Sequence, residues 1–273
     1  MKIVLACLGL MLALSPAWGQ ELGDVRIPVS DRGAEARSQA IGDALNQVLV
    51  RLTGDRASVN AAALAPLRRD PARWVQQFSY EAADDRLALM VRFDVPVLMQ
   101  QLERAAVPVW TTVRPDTLFW VVVQRSAGGE ILSRSSSDPA ALSLNAAAAA
   151  RGLPALLPVM DGQDQGRIRA ADVRGQFDQV LMQAAARYAA PFNVSAVIYP
   201  GASPQLRWRL LYQGRLEDSG QIDAASEDEA LAALVDRVTA NISSRYIVRP
   251  GQALPYRLRV TGVASLDDWQ AVT

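Results

Sequence analysis

The sequence has no histidine, and it has only one cysteine and one lysine among its 273 residues. The lysine is Lys2 and the cysteine is Cys7, so both lie near the start of the chain. The rest of the chain therefore excludes a serine–histidine or cysteine–histidine nucleophile pair, a Schiff-base lysine and a phosphate-loop lysine. Disulfides and the usual histidine- or cysteine-ligated zinc sites are excluded as well.

The first 19 residues have the layout of a secretory signal peptide. Lys2 gives a positive start, and an unbroken apolar run of 12 residues follows over 3–14. Ala17 and Gly19 supply small residues at the two positions that a signal peptidase reads. The alternative is a membrane anchor, but spanning a bilayer takes roughly 20 apolar residues. We therefore expect cleavage before Gln20 and a periplasmic protein without a transmembrane segment after cleavage.

The charges of the remaining chain are balanced. Once Lys2 is removed, 27 arginines stand against 28 aspartates and glutamates, and this balance gives no electrostatic footprint for nucleic acid or an anionic membrane. Arg207 and Arg209 flank Trp208, a combination that can stack on bases. In a strand, however, the tryptophan and the arginines face opposite sides. We therefore expect no nucleic-acid partner and assign Trp208 to the core.

The segment 20–107 has a pattern typical of a small α+β domain. Apolar residues recur at helical spacing from Ala40 to Leu52, and Asp31 precedes them as a candidate helix cap. Alternating residues in front of Pro96 predict a hairpin. In chain order, the predicted elements are a strand over 25–29, helices over 33–52 and 60–69, strands over 75–82 and 86–95, and a helix over 96–106.

The segment 116–249 predicts an α/β domain with a βαβαβ core, followed by a β-hairpin and a final helix. Its first strand, over 118–123, is apolar throughout and should be buried on both faces. Asp138 and Ser226 are candidate caps of two helices. The other elements predicted are a short strand over 155–159, a loop over 161–166, a long helix over 172–188, a strand over 194–199 and a hairpin punctuated at Gly214 and over 218–220.

The fold expected from these patterns is two small mixed-sheet domains of the α+β or α/β class. A linker over 107–115 joins them, and residues 126–137 form a polar loop. Residues 254–273 predict one further strand and one short helix, which together make an incomplete C-terminal βα extension.

The segment 161–172 is the strongest candidate for a metal site. It places Asp161 at position 1 and Asp172 at position 12 of a calcium-loop pattern, with Asp164 between them. Neutral glutamines stand at positions 3 and 5, an arginine stands at position 9, and no bidentate glutamate closes the loop. Asp161, Asp164 and Asp172 are therefore weak metal candidates, and the alternative is a turn with helix caps. No cofactor and no catalytic residue is assigned.

Paired carboxylates are the one route to catalysis that the composition leaves open. Asp161 and Asp164 are the first residues to suspect in a hydrolase of a wall or saccharide substrate. Such an enzyme needs two carboxyl groups about 5–9.5 Å apart in one cleft. Three adjacent acidic pairs, at 84–85, 217–218 and 267–268, occupy predicted turns or helix starts, where aspartate is expected for backbone reasons.

Several segments resemble a family of uncharacterised proteobacterial envelope proteins, domain of unknown function 2066. The resemblance is carried by the order and spacing of short segments at 29–31, 44–54, 92–94, 108–120, 152–161, 172–173 and 245–246. It implies a secreted, periplasmic protein without an assigned activity, and it supplies no catalytic residue to carry over. The layout of the second domain also resembles small α/β domains of bacterial envelope-assembly proteins.

Together these observations predict an exported, non-enzymatic protein of the cell envelope that binds another envelope protein or acts as an assembly scaffold. A carboxylate-dependent hydrolase and a small-ligand or calcium-binding module are the alternatives. The sequence leaves the oligomeric state open.

Overall fold

The computed structural model describes residues 22–83, 86–125 and 128–251. The predicted signal peptide and the predicted C-terminal extension lie outside the described residues. The strands are β1 (Asp24–Pro28), β2 (Val75–Ala83), β3 (Arg86–Phe93), β4 (Val109–Trp110), β5 (Thr117–Val123), β6 (Glu130–Ile131), β7 (Ala155–Leu156), β8 (Phe192–Tyr199), β9 (Gln205–Tyr212), β10 (Arg215–Asp223) and β11 (Ile247–Val248). The α-helices are α1 (Ala34–Thr53), α2 (Ala65–Arg69), α3 (Val95–Arg104), α4 (Pro139–Arg151), α5 (Gly162–Gln165), α6 (Ala170–Arg174), α7 (Asp178–Ala185) and α8 (Glu227–Tyr246).

The first sheet is antiparallel and has the strand order β1-β3-β2. α1 packs on it because the residues at helical spacing between Ala40 and Leu52 form one buried cluster with the inward-facing residues of β3. The expected cap of this helix was wrong. The N-cap is Gly33, and the Asp31 carboxylate accepts the Gly33 amide hydrogen at 2.6 Å without reaching a helical amide.

The expected helix over 60–69 was also wrong in its first half. Residues Ser58–Asn60 and Ala62–Leu64 form two 3-10 turns, and only Ala65–Arg69 is α-helical. Pro66 explains the late start, because a proline lacks the amide hydrogen that an interior helical position must donate. It therefore fits only the first turn of a helix.

The second sheet is mixed and confirms the predicted fold class. Its strand order is β10-β9-β8-β5-β6, and β7 also pairs with β5. β5 is parallel to β7 and β8, and all seven of its residues are buried, as expected. Alternate residues of β5 contribute to two clusters, one shared with α4 and α8 and the other with α6 and α7. Helices therefore cover both faces of this sheet.

The single long helix expected over 172–188 was wrong. The segment forms α6, a break at Gly175 and Gln176, then α7 and a 3-10 turn at Ala186–Tyr188. Gln176 has a φ of 54°. The Phe177 amide donates to the Asp172 carbonyl at 3.1 Å, and the Gln176 amide donates to the Val173 carbonyl at 3.1 Å. This is a Schellman ending with glutamine in the left-handed position that glycine usually takes.

Other expected loops contain regular structure. Residues 161–166 hold the one-turn helix α5, the linker over 107–115 holds β4, and the polar loop over 126–137 holds β6. The strand expected over 155–159 is limited to β7, since Pro158 cannot donate to a ladder. The hairpin turn lies at Gln213 and Gly214, both with positive φ, whereas residues 218–220 lie inside β10.

The two sheets meet where α1, α4 and α8 end near one another. β4 pairs with β11, which follows α8, so the predicted linker is tied into the second unit. Helices α1 and α4 end at Gly54 and Gly152, whose φ angles are 71° and 62°. In the part of the chain that the structure describes, no helix combines the length and the apolar character needed to span a bilayer.

Candidate functional site

Three arginines lie at the junction of the two sheets. Arg51 is in the last turn of α1, Arg151 is the last residue of α4, and Arg114 follows β4. Arg51 and Arg151 are only 6% and 3% exposed. Cations near the carboxyl end of a helix interact favourably with the helix dipole. Arg51 and Arg151 are therefore favourably placed at the ends of their helices.

Arg114 is held by three carbonyl groups and one aromatic ring. Its Nη1 donates to the Gly152 carbonyl at 2.8 Å, and its Nη2 donates to the Arg51 carbonyl at 2.7 Å. A longer bond of 3.3 Å joins Nη2 to the Trp110 carbonyl. The guanidinium carbon lies 3.9 Å from the ring centroid of Trp110, which is fully buried. The carbonyl bonds and the ring contact together fix the orientation of this cation.

Arg51 and Arg151 make similar bonds to backbone carbonyl groups. Arg51 Nη1 donates to the carbonyls of Leu22 and Asp24, at 3.1 and 2.7 Å. Arg151 Nη2 donates to the Gly54 carbonyl at 2.9 Å. Arg151 Nε also lies 3.1 Å from Asp236 Oδ1.

The nearby carboxylates form ion pairs with arginines other than Arg114. Asp24 forms a bidentate pair with Arg92, with distances of 2.7 and 2.9 Å. Asp236 is shared between Arg151 and Arg56. Among the residues that the structure describes, no carboxylate pairs with Arg114, and its Nε is buried without a hydrogen-bond acceptor. A desolvated cation in that position is stabilised by any anion that reaches it.

The pKa values of the three arginines reflect the removal of their guanidinium groups from water. Burial lowers the pKa of Arg51 to about 10, although the charge of Asp24 opposes this shift. Burial, with the neighbouring charges of Arg51 and Arg151, lowers the pKa of Arg114 to about 9. Burial also lowers the pKa of Arg151. All three groups stay protonated at neutral pH, so the junction carries closely spaced positive charges.

A cleft of about 390 Å³ opens beside Arg51 and Arg114. Ligand pockets commonly have volumes of roughly 300–1,000 Å³. The other polar side chains on its wall are Asp24 and Asn145. The rest of the lining consists of Leu22, Ala148, Ala149, Gly152, Leu153, Pro154 and Ala155. The cleft thus combines a cationic end with a mostly apolar wall, and these groups are suited to binding an organic anion.

The aspartates suspected from the sequence lie elsewhere. Asp161 caps α5 by accepting the amide hydrogens of Gln163 and Asp164, both at 3.1 Å. Asp172 accepts the amide hydrogen of Arg169 at 2.8 Å. In the ranges 22–83, 86–125 and 128–251, no group of three or more acidic, histidine or cysteine side chains is placed to hold a metal ion.

Asp161 and Asp164 do come together, but through a shared cation. Arg187 Nη1 donates to Asp161 Oδ1 at 2.7 Å and to Asp164 Oδ1 at 3.2 Å. Asp164 is fully buried and also accepts hydrogen bonds from the Tyr188 hydroxyl and the Met160 amide. Neither aspartate lines the junction cleft. Their arrangement is that of a surface polar network built around one buried carboxylate, that of Asp164.

The arginines were missed because the sequence reasoning treated arginine only as surface charge. A signal was present. Arg51 lies seven residues after Ala44 and three after Val48, and Arg151 has the same spacing from Leu144 and Ala148. These spacings place each arginine on the apolar stripe of its helix.

The comparisons with known proteins give one family match. The model described as Domain of unknown function (DUF8605) matches residues 19–111. The resemblance to domain of unknown function 2066 was therefore wrong. The segments that carried it include the buried stripe of α1 and its glycine ending, and such features recur wherever an amphipathic helix packs and stops. A comparison with curated proteins finds no match.

Two solved structures show a weak likeness to the chain. The competence damage-inducible protein A (ComA) from Klebsiella pneumoniae subsp. pneumoniae MGH 78578 is 13% identical, with a TM-score of 0.27, over 54% of this chain and 91% of that chain. The Competence-Damaged Protein (CinA) Superfamily Protein KP700603 from Klebsiella pneumoniae 700603 is 14% identical, with a TM-score of 0.26, over 53% and 90%. Neither likeness bears on function.

Proposed function

We propose that this protein is an exported, periplasmic and non-enzymatic binding protein, and that its junction cleft takes a small organic anion with an apolar body. The observation that carries the proposal is Arg114, a half-buried cation on the cleft wall whose Nε is buried without an acceptor and whose described surroundings include no carboxylate partner. Its stacking on Trp110 and its bonds to fixed carbonyl groups orient it in advance. Binding sites that are organised before the ligand arrives lose less free energy on ordering.

The chemistry of the cleft wall supports binding rather than turnover. The one carboxylate on the wall belongs to Asp24, which is occupied by Arg92. The remaining polar side chains are two guanidinium groups and the Asn145 amide, which donate hydrogen bonds and do not abstract protons at neutral pH. An anionic head group at Arg51 and Arg114, with its apolar part along the alanines of α4, satisfies both parts of the cleft.

Thermal unfolding with four probes tests the ligand class. Hexanoate is expected to raise the Tm, whereas hexanol and hexylamine should not. Inorganic phosphate tests whether charge alone suffices, and a smaller shift is expected because it lacks the apolar part. A ligand at 100 times its Kd stabilises by about 2.7 kcal/mol, which corresponds to roughly 5–10 °C for a chain of this size. Titration calorimetry then gives the stoichiometry, expected to be one.

One matched pair of variants and one further substitution locate the binding. Ala149→Trp fills the cleft from α4, whereas Ala146→Trp alters an exposed residue of the same helix that does not line the cleft. The first should abolish the response to hexanoate, and the second should keep it. Arg114→Met should remove the preference for the anion over hexanol. Equal shifts with hexanoate and hexanol, or an unchanged response in Ala149→Trp, would contradict the proposal.

Export is tested by the mass of the protein. When the full chain is produced in a Gram-negative host, the periplasmic fraction should contain a polypeptide that begins at Gln20. Recovery of the intact chain from the cytoplasm alone would count against this part of the proposal.

A further inference from the structure

β2 is a nine-residue strand at the edge of the first sheet. Within the described part of the chain it pairs with β3 alone. Six of its residues are exposed, and Phe78 presents 46% of its surface to solvent. An edge strand carries unpaired amide and carbonyl groups that can accept a further strand. The open side of β2 is therefore a surface on which another strand can add.

β2 also lacks most of the features that protect an edge. Its sequence from Val75 to Ala83 contains one charged residue, Glu81, and no proline. The register shift between Val75 and Gln77 lies at its start and leaves the remaining strand regular. The edge strand β10 differs, because four of its residues are charged and its register shifts between Leu216 and Asp218. Charges and bulges of that kind discourage pairing, so β2 is the open edge of the two.

The sequence of β2 is complementary to itself in the antiparallel direction. When two copies pair about Ser79, Phe78 of each lies opposite Tyr80 of the other, and Gln77 lies opposite Glu81. The only charged residue then faces a neutral amide that can donate to it. No like charges are brought together, and both kinds of pair occur twice.

The aromatic contacts already present on one face of β2 are compatible with such a pair. Phe78 and Tyr80 lie on the same face, with ring centroids 6.4 Å apart in an edge-on arrangement. Arg37 and Arg32 lie over these rings, 5.7 and 5.4 Å from their centroids. Pairing about Ser79 makes a row of four aromatic rings flanked by arginines. Cross-strand aromatic pairs of this kind stabilise sheets.

We infer that the open edge of β2 binds β2 of a second copy of this chain, in antiparallel register about Ser79, to make a twofold-symmetric dimer with one continuous sheet. Main-chain hydrogen bonds supply the attraction, and the Phe78–Tyr80 pairs set the register. A slip of one residue places the aromatic side chains of the two copies on opposite faces of the sheet. This interface uses none of the residues that line the junction cleft.

Engineered cysteines test the interface and its register. In the Cys7→Ser background the introduced thiol is the only one in the chain. Ser79→Cys should form a disulfide dimer under mild oxidation, because residues directly opposite in an antiparallel pair have Cα atoms about 4.5–5.5 Å apart, within the range that a disulfide needs. Gln77→Cys alone should remain unlinked, whereas Gln77→Cys with Glu81→Cys should form linked dimers.

Ser219→Cys, on the exposed strand β10, is the matched control for random collision and should remain unlinked. Sedimentation of the unmodified protein should show a dimer. Ser79→Lys should convert this dimer to a monomer, because it places two ammonium groups opposite each other. The circular dichroism of this variant should stay unchanged, which shows that it still folds. A monomer at every concentration tested would overturn the inference. This holds even if β2 of that monomer binds a strand of a different protein. Equal linking of Ser79→Cys and Ser219→Cys would overturn it too.

Discussion

Replacing Gly54 by alanine is expected to lower the free energy of unfolding by about 2–4 kcal/mol. Gly54 ends α1 with a φ of 71°, a conformation that costs alanine more than glycine. A Cβ atom there would also lie 2.8 Å from Ser243 Cβ in α8 and 3.5 Å from Trp110 Cβ. The first contact is with an atom attached directly to the backbone of a buried helix. The strain therefore cannot be relieved by rotating a flexible side chain.

The effect should extend beyond the helix end. The Gly54 carbonyl accepts hydrogen bonds from Arg151 Nη2 at 2.9 Å and from Ser243 Oγ at 3.5 Å. A displaced Gly54 loses these bonds and leaves a buried guanidinium with fewer acceptors, which adds a desolvation cost. Urea unfolding followed by circular dichroism measures the loss.

Gly42→Ala is the matched control, because it makes the same chemical change in the same helix. A Cβ atom at Gly42 has no neighbour within 4 Å, and the backbone there is already helical. Alanine has the better helix propensity, so Gly42→Ala should stabilise the protein by roughly 0.5–1 kcal/mol. Changes of opposite sign in the free energy of unfolding would show that the loss at Gly54 is specific to this residue. They would exclude a general intolerance of α1 to replacement of glycine by alanine. A Gly54→Ala variant within about 0.5 kcal/mol of the parent would contradict the prediction.

The fold class followed from the sequence because its signals were local. β5 is apolar at each residue over 118–123, and a strand of that kind has to be buried on both faces. Asp138 and Ser226 accept amide hydrogens at the starts of α4 and α8, as the cap positions predicted. Helix ends at Gly54 and Gly152 were marked by glycine itself. Each of these features needs only a few neighbouring residues to specify it.

The errors arose where local signals conflicted or where the partner is distant in sequence. Gln176 takes a left-handed conformation that propensity assigns to glycine, and the apolar spacing of α6 and α7 continues across the break. β4 forms because it pairs with β11, which begins 137 residues after β4 ends. No pattern within 107–115 can indicate a strand whose partner lies so far along the chain.

The candidate site escaped prediction for a related reason. Arg51, Arg114 and Arg151 come from three separate segments, and only the packing of α1 against α4 brings them together. Sequence patterns mark an arginine on an apolar stripe, but they do not show whether its charge is paired. The aspartates were overestimated for the same reason. The sequence does not show that Asp161 and Asp164 both form ion pairs with Arg187.

The second large effect is expected at Arg187. Arg187→Met should lower the free energy of unfolding at neutral pH, since it leaves a buried carboxylate without its cationic partner. The charge left behind is that of Asp164, which is fully buried. The Arg187 side chain is 26% exposed, so solvent screens its attraction to the carboxylates, and the loss should be smaller than that for a fully buried pair. Asp164 also keeps the hydrogen bonds from Tyr188 and Met160.

Arg207→Met is the matched control for this change. Arg207 is an exposed residue of β9 whose guanidinium carbon lies 5.7 Å from the ring centroid of Tyr199. Removing such a surface cation should alter the free energy of unfolding by less than about 0.5 kcal/mol. A loss of similar size in both variants would mean that removing any exposed guanidinium group destabilises the protein, and that the pairing of Arg187 with Asp161 and Asp164 contributes nothing of its own.

The pH dependence of the free energy of unfolding distinguishes the contribution of the Arg187 ion pairs from that of side-chain packing. Hydrogen bonds from Arg187 are the main cause that lowers the pKa of Asp161 from 3.8 to about 2. A depressed carboxyl pKa stabilises the folded state above the unfolded value, and this contribution disappears as the pH falls through the folded value. The part of the stability difference between the parent and Arg187→Met that comes from Asp161 should therefore disappear as the pH falls from 3.8 to about 2. In Arg187→Met the pKa of Asp161, followed by nuclear magnetic resonance, should rise towards its ordinary value. A gap that stays constant across this window would show that the charge of Arg187 is not what stabilises the network.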